Sequence, residues 1–300
     1  MPKTIGYIDY FLDEWHANNY QRFISDSCGD EFTVTHAYAL AEQPDFKEVS
    51  NWFKHRNLPF DVANVPGWMN TDEWCAERNV RRAASIEEVV DKCDYLIVFS
   101  PDNVELKEAL CQLPLRSGKP TFVDKAFAPC KEVASRIVEL ADKYNTPLFS
   151  TSSLRYAKQL PDVPRDNIEY VGMRGCGDHH DYIIHQFEPL YAVMDAYPTH
   201  LMVQNSLRSH VVSFKYADGR LATIDMVAGQ CPFGIMVRYM DDSMHIVNEL
   251  SDFFDNFVPA MLDFFRTGKP PVRAADTIAI ASAYGASKQG IAQPGVWLAL

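Results

Sequence analysis

Lys125, Asp181 and His185 are the side chains in this sequence best placed to move a proton. Lys125 ends the run Pro120-Thr121-Phe122-Val123-Asp124-Lys125, and the end of a buried strand is where parallel-sheet proteins put their ligand sites. Asp181 and His185 stand four apart in Asp181-Tyr182-Ile183-Ile184-His185. That spacing stacks both side chains on one helix face, where the carboxylate can orient or charge the imidazole. With a lysine joining them, the set can give and take a proton.

Each of these residues also has a plainer reading. Lysines are mostly solvated, and a histidine on an apolar helix face is more often a satisfied core residue than a catalyst. The strand-end position of Lys125 and the orienting Asp181 tip both toward function. A second chemistry is open to the same helix, since Asp181, His185 and Glu188 fall at i, i+4 and i+7 beside His179 and His180. His180, Asp181, His185 and Glu188 could then gather a divalent metal. No standard metalloenzyme signature accompanies them, so metal is the lesser reading, and Glu188 before Pro189 otherwise faces solvent. Trp15-His16-Ala17-Asn18-Asn19-Tyr20 is rich in groups that hold polar ligands, balanced against a helix with ordinary core aromatics. Trp68 and Trp74, around Pro66-Gly67-Trp68-Met69-Asn70, either stack on a sugar or pack locally.

The elements that position these groups change character near the middle of the chain. Residues 4–8 and 32–39 read as strands, with a helix up to residue 24 between them. Ser85 and Glu88 form a capping box for a helix that starts there. Tyr95-Leu96-Ile97-Val98-Phe99 is apolar on both faces, as suits a strand between two helix layers, and Ser100-Pro101-Asp102 stops it. Residues 104–115 read as helix, 120–123 as strand and 131–144 as amphipathic helix. This alternation predicts an α/β first domain over residues 1–150 with a parallel, doubly wound sheet. After the Pro-rich hinge at 160–164 come strands at 168–172, 201–207, 209–216, 221–227 and 235–240. Ala217-Asp218-Gly219-Arg220 reads as a hairpin turn. Residues 151–300 are thus an α+β domain with a mainly antiparallel sheet, the Asp181 helix packed on it and further helices at 253–265 and 274–288.

Bulk properties narrow the partners. The chain has 300 residues, 47% of them hydrophobic, and a net charge of −12. Nucleic acid and acidic lipid need clustered positive charge, so neither is an expected partner, and a small ligand is. The first residues run straight into a strand, and no apolar stretch reaches membrane-spanning length, so a cytoplasmic protein is expected. Seven scattered cysteines without a C-x-x-C pair predict reduced thiols, with Cys176 the one near Asp181.

Several segments, taken in order, resemble the Gfo/Idh/MocA oxidoreductases. Gly118-Lys119-Pro120 through Asp124-Lys125 is similar to that family's glycine-lysine-proline, strand, acid-lysine element, and Asp94 to Pro101 resembles its fourth strand and closing proline. Ser152-Ser153-Leu154-Arg155-Tyr156 resembles the lead into its second domain. Asp181 and His185 match its catalytic helix, and the segment Phe265-Arg266-Thr267-Gly268-Lys269-Pro270-Pro271 resembles its C-terminal region. The resemblance implies a Rossmann-like first domain, NAD or NADP as cofactor, a sugar, cyclitol or related polyol as substrate, and a homo-oligomer, dimer or tetramer. It assigns catalysis to Lys125, Asp181 and His185. Cofactor contacts would come from Asp9, Tyr10, Phe11, Leu12, Ser100, Pro101, Asp124 and Lys125, and substrate contacts from His16, Asn19, Arg155, Tyr156 and His180.

The departures are specific. The family's first strand ends in a G-x-G-x-x-G/A turn that brings the cofactor pyrophosphate to a helix N-terminus. Asp9, Phe11 and Glu14 stand at those positions here, Ala126 follows the lysine where proline is usual, and Ile183 replaces a glycine. Near the end of the second strand, Ala39-Leu40 offers no ribose-binding acid. The alternative is therefore an isomerase, lyase or hydrolase working on a keto-sugar by acid/base chemistry, with no cofactor or with a divalent metal. A non-catalytic sugar-binding protein is a third, weaker reading.

Overall fold

The computed structural model describes residues 2–45, 49–50 and 67–300. The chain forms two compact units. The first takes Met1–Ala128, Ser135–Ser150 and Val258–Val272, and the second takes Pro129–Ala134, Thr151–Phe257 and Arg273–Leu300.

The first unit is built on a parallel sheet. Its strands are β1 (Lys3–Asp9), β2 (Phe32–Ala39), β3 (Arg81–Arg82), β4 (Tyr95–Val98), β5 (Thr121–Val123) and β6 (Leu148–Phe149), in the order β3-β2-β1-β4-β5-β6. Every neighbouring pair is parallel. The order reverses beside β1, which sets a crevice between the ends of β1 and β4, the place where doubly wound folds bind ligands. In β4, Leu96, Ile97 and Val98 are all fully buried, as a strand between two helix layers requires. Helix α1 (Trp15–Cys28) follows β1, α2 (Thr71–Arg78) precedes β3, and α3 (Ile86–Lys92) precedes β4. A Cβ placed on Gly6 would meet Val89 Cγ1 at 2.3 Å, so glycine is what lets α3 lie this close to β1. Aromatic contacts complete the core, with Phe265 packing on Tyr95 and Phe264 on Phe149.

Two local expectations change. Ser85 caps α3 through Glu88 N, but the Glu88 carboxylate returns to Ala84 N, one residue before the cap, so the reciprocal box is displaced. The helix read over 104–115 is broken: a 3₁₀ turn at Val104–Leu106, a single turn α4 (Lys107–Leu110) and another 3₁₀ turn at Pro114–Arg116. Pro114 has no N–H to extend the ladder, which ends the α-helix before it. Helix α5 (Lys131–Lys143) then leads to β6.

The second unit holds the other sheet, in the order β12-β11-β7-β10-β9-β8-β13. Its strands are β7 (Ile168–Cys176), β8 (Pro198–Asn205), β9 (His210–Tyr216), β10 (Leu221–Val227), β11 (Gly234–Tyr239), β12 (Met244–Val247) and β13 (Leu298–Ala299). Only β7 and β10 pair in parallel, so the sheet is mainly antiparallel. The β9–β10 hairpin turns at Gly219, whose φ of 91° lies where glycine is favoured. Helix α6 (His179–Met194) covers one face, with Phe187 edge-on to Phe214 at 5.7 Å. Helix α7 (Phe253–Thr267) follows β12. Helix α8 (Ala274–Ala292) packs against β8 through Gly290, where a Cβ would meet Val203 Cγ2 at 2.5 Å. Among the described residues, no helix is long and apolar enough to cross a membrane.

Candidate active site

In the second unit the site grows from the start of α6. Asp178 caps the helix by accepting from His180 N at 2.9 Å, which fixes the register that puts Asp181 and His185 one turn apart. His185 Nδ1 shares a 2.6 Å hydrogen bond with Ser152 Oγ, and that oxygen also accepts from Leu154 N at 3.3 Å. Tying down Nδ1 in this way fixes the ring's orientation, and either atom can be the donor.

Ser152 is itself held from behind. The Glu188 carboxylate accepts from Ser152 N, from Thr151 Oγ1 and from Arg155 Nη1, at 3.1, 3.1 and 3.0 Å. Arg155 reaches on to Asp276 Oδ2 at 3.0 Å, and Asp276 also accepts from Tyr197 and Arg273. Glu188 is thus not turned to solvent but is 5% exposed at the centre of an ionic chain. A buried carboxylate stays there only with partners of this kind. Burial pushes its pKa up, against the pull of Arg155 and the hydrogen bonds from Thr151 and Ser152. Among the described residues no group of three or more His, Cys, Asp or Glu could hold a metal ion, so His180, Asp181, His185 and Glu188 do not form the metal set considered above.

Of the substrate candidates in this unit, Arg155 spends its guanidinium inside that chain. The Tyr156 ring lies 5.7 Å from that of Phe257. His180 is exposed, and its carbonyl accepts from Tyr284 at 2.8 Å. Its neighbour His179 is buried, 5.1 Å from the His210 ring, and burial together with that ring pulls its pKa down to about 3. Neither of its ring nitrogens has a hydrogen-bond partner, and its burial keeps it neutral at physiological pH.

In the first unit Lys125 stands just beyond β5, half-buried, and Asp124 before it continues the sheet by donating its N–H to Val98 O at 2.9 Å. Lys107 is buried beneath them and gives a 2.6 Å hydrogen bond to Asp124 O. Burial pulls its pKa down to about 8, against the opposing charges of Asp124 and Asp9. Tyr20 donates to Asp124 Oδ1 at 3.3 Å, and burial beside Asp124 and Glu14 raises its phenol well above the usual range.

The loop from β1 to α1 fills its own anion site. The Asp9 carboxylate, fully buried, accepts from Tyr10 N at 2.7 Å and Ser100 N at 2.8 Å, bridging the ends of β1 and β4. Glu14 is the N-cap of α1, and its carboxylate accepts from His16 N at 2.8 Å and from Ala17 N. Asp13 accepts from Met69 N and from the Asn18 amide. His16 is set between two acids, Nδ1 at 2.9 Å from Glu14 and Nε2 at 3.7 Å from Asp124. Phe11 and Leu12 are buried, Pro101 is partly covered, and Asn19 caps back onto Trp15 O. Trp74 packs locally, bonding Asn18 and lying 6.3 Å from Tyr7, while Pro66 falls outside the described residues.

The structure therefore brings Asp181 and His185 onto one helix in the second unit, and in the first it places Lys125 after Asp124, to which Tyr20 and His16 reach. Ser152, Glu188 as a positioning group and Lys107 are functional candidates that the sequence reading missed. Ser152 lay in a recognised segment, but only the fold shows that its hydroxyl meets an imidazole 33 positions later.

No family model matches the sequence, and no curated protein matches it. Solved structures do match in fold, over nearly the whole of both chains. Myo-inositol 2-dehydrogenase from Lactobacillus plantarum is similar with a TM-score of 0.72 and 13% identity, covering 100% of each chain. UDP-N-acetylglucosamine 3-dehydrogenase from Acidithiobacillus ferrooxidans gives 0.71 and 11%, covering 97% of this chain and 98% of that one. An oxidoreductase from Agrobacterium radiobacter, solved with NAD+, L-tartaric acid and magnesium, gives 0.70 and 11%, covering 100% and 98%. At these identities the likeness is one of fold, and the fold is the one that the resemblance to Gfo/Idh/MocA oxidoreductases implied.

Proposed function

We propose that this chain is a divergent Gfo/Idh/MocA-type enzyme that acts on a sugar, cyclitol or related polyol. In this reading His185 handles the proton at a hydroxyl- or carbonyl-bearing carbon. The observation that carries the proposal is the imidazole of His185, oriented through Nδ1 by Ser152 on a helix whose preceding turn bears Asp181. A base so oriented needs no reorganisation when it takes a proton, and a carboxylate one turn away stabilises the imidazolium that results. Lys125, at the end of β5, is a second catalytic candidate, carried over from the resemblance. The names of the structural neighbours support the oxidoreductase reading and the polyol class of substrate.

A nicotinamide cofactor, when an oxidoreductase of this fold binds one, supplies the hydride acceptor. The first loop of this chain does not fit that group, because Asp9 and Glu14 occupy the amides that a pyrophosphate needs. The chemistry open to the chain's own residues is acid–base. A carbonyl acidifies the C–H beside it, so His185 could remove that proton, giving isomerisation or elimination of a keto-sugar without hydride transfer. The filled loop favours this second reading. Incubation of ketoses in deuterated water without cofactor, read by mass spectrometry, tests it directly. Absence of both deuterium uptake and nicotinamide-dependent turnover across a panel of ketoses, inositols and sugar derivatives would defeat the proposal. The exposed Met240, Met244 and Ile246 support self-association of the second unit, which light scattering at micromolar protein checks.

A further inference from the structure

Dinucleotide-binding units of this topology use three things at the end of β1: glycines that leave room, backbone amides that point outward, and a helix N-terminus whose partial positive charge meets the pyrophosphate. Each is taken up internally here. The amides at the crevice belong to Tyr10 and Ser100, and both donate to Asp9 Oδ1. At the head of α1 the amides of His16 and Ala17 both donate to Glu14. The helix has 14 residues, so its terminus is a full-strength anion site, and the chain's own carboxylate sits in it. Buried Phe11, at the second glycine position, takes space that the cofactor backbone would need.

We propose that the crevice at the end of β1 rejects dinucleotides, because Asp9 and Glu14 act as built-in substitutes for the pyrophosphate. An incoming diphosphate would have to displace two carboxylates from charge-assisted hydrogen bonds, then sit against them as a third and fourth negative charge. Lys107 is buried and turned to Asp124 O. His16 lies between Glu14 and Asp124. Carboxylates at this end of β1 suit hydroxyl groups and repel phosphate. This inference does not depend on the polyol reading, since it concerns the first unit alone.

Titration calorimetry on the full chain with NAD+, NADH, NADP+, NADPH and ADP-ribose tests it. No binding is expected for any of them at millimolar concentration, whereas a micromolar Kd for any one overturns the proposal. The converse arm uses Asp9→Gly/Glu14→Gly, with folding checked by circular dichroism, and inorganic pyrophosphate and ADP-ribose as probes. Freed amides should tighten binding of both probes at least tenfold over wild type. If that variant does not fold, Glu14→Gln serves, which keeps the cap's shape and removes its charge; it too should tighten pyrophosphate binding, by several-fold. Folded variants with no gain would show that these carboxylates are not what excludes the anion, and would overturn the assignment. Deuterium uptake by a ketose is measured separately, so failure here is distinguishable from failure of the proposed function.

Discussion

Glu188→Gln probes whether the ionic chain behind Ser152 holds the site together. The wild-type carboxylate has three donors to satisfy, Ser152 N, Thr151 Oγ1 and Arg155 Nη1. A glutamine of the same shape keeps one acceptor oxygen and presents an NH2 where the other oxygen was. Whichever way the amide turns, one buried N–H, that of Ser152 or that of Arg155, faces another donor. A buried donor left without its acceptor costs about 1–3 kcal/mol. Breaking a buried ion pair outright costs about 3–5 kcal/mol, but Arg155 keeps Asp276 at 3.0 Å, so the lower end applies. The expected loss is about 3 kcal/mol in urea unfolding at neutral pH. Because burial raises the folded-state pKa of Glu188, protonation favours the native state. The wild type's advantage should therefore be largest in acid, below the unfolded glutamate value, and shrink as pH rises through the folded one. Turnover should fall as well, with a shifted pH profile, since Ser152 would no longer be fixed against His185. A loss below about 1 kcal/mol with an unchanged pH profile would refute the reasoning, for then Glu188 neither carries a needed charge nor positions the histidine.

Lys125→Ala and His185→Ala should each cut turnover about a hundredfold or more with the melting temperature retained, and the double variant should fall little below the worse single one. Asp181→Asn keeps shape and removes charge, so kcat should drop and its pH dependence should move if the carboxylate stabilises an imidazolium. Lys107 has its pKa lowered to about 8 from an ordinary 10.5, so between those values the unfolded chain binds more protons and stability from this group rises with pH. The rise, about 3 kcal/mol in total, is read as the difference between wild type and Lys107→Met in urea at pH 7 and pH 10. Taking the difference removes the opposing effect of the buried Tyr7 and Tyr20 phenols. Gly6→Ala puts a methyl 2.3 Å from Val89 and should lower stability by about 1–3 kcal/mol in the same assay.

The fold was readable where burial writes a pattern. Tyr95 to Phe99 announced a strand covered on both faces, and the alternation on either side of Gly219 announced a hairpin, because side-chain period and burial are the same fact seen twice. Short pieces left less trace. Strand β3 is two arginines, and β13 is two residues near the chain end, each fixed by partners distant in sequence. The break at Pro114 was visible in principle, yet the single turn at Lys107–Leu110 depends on a lysine buried for the sake of Asp124 O, which no local pattern reveals.

The site divides along the same line. Asp181 and His185 could be paired by spacing because a helix converts four residues into one turn. Ser152 and Glu188 could not, since their roles are set by a packed helix rather than by neighbours in sequence. Glu188 looked like a solvent-facing acid precisely where it is most buried, and what reverses the reading is Arg155, which brings a charge to meet it from another element. The loop at the end of β1 shows the limit from the other side. Loss of its glycines was plain in the sequence, and pointed to repulsion and crowding of a diphosphate. That the same acids then take the phosphate's hydrogen bonds, Asp9 across the crevice and Glu14 at the helix head, follows only from where the backbone puts its amides. A glycine-free loop could still have left an anion site open; one whose amides are already spent on carboxylates has replaced the ligand with itself.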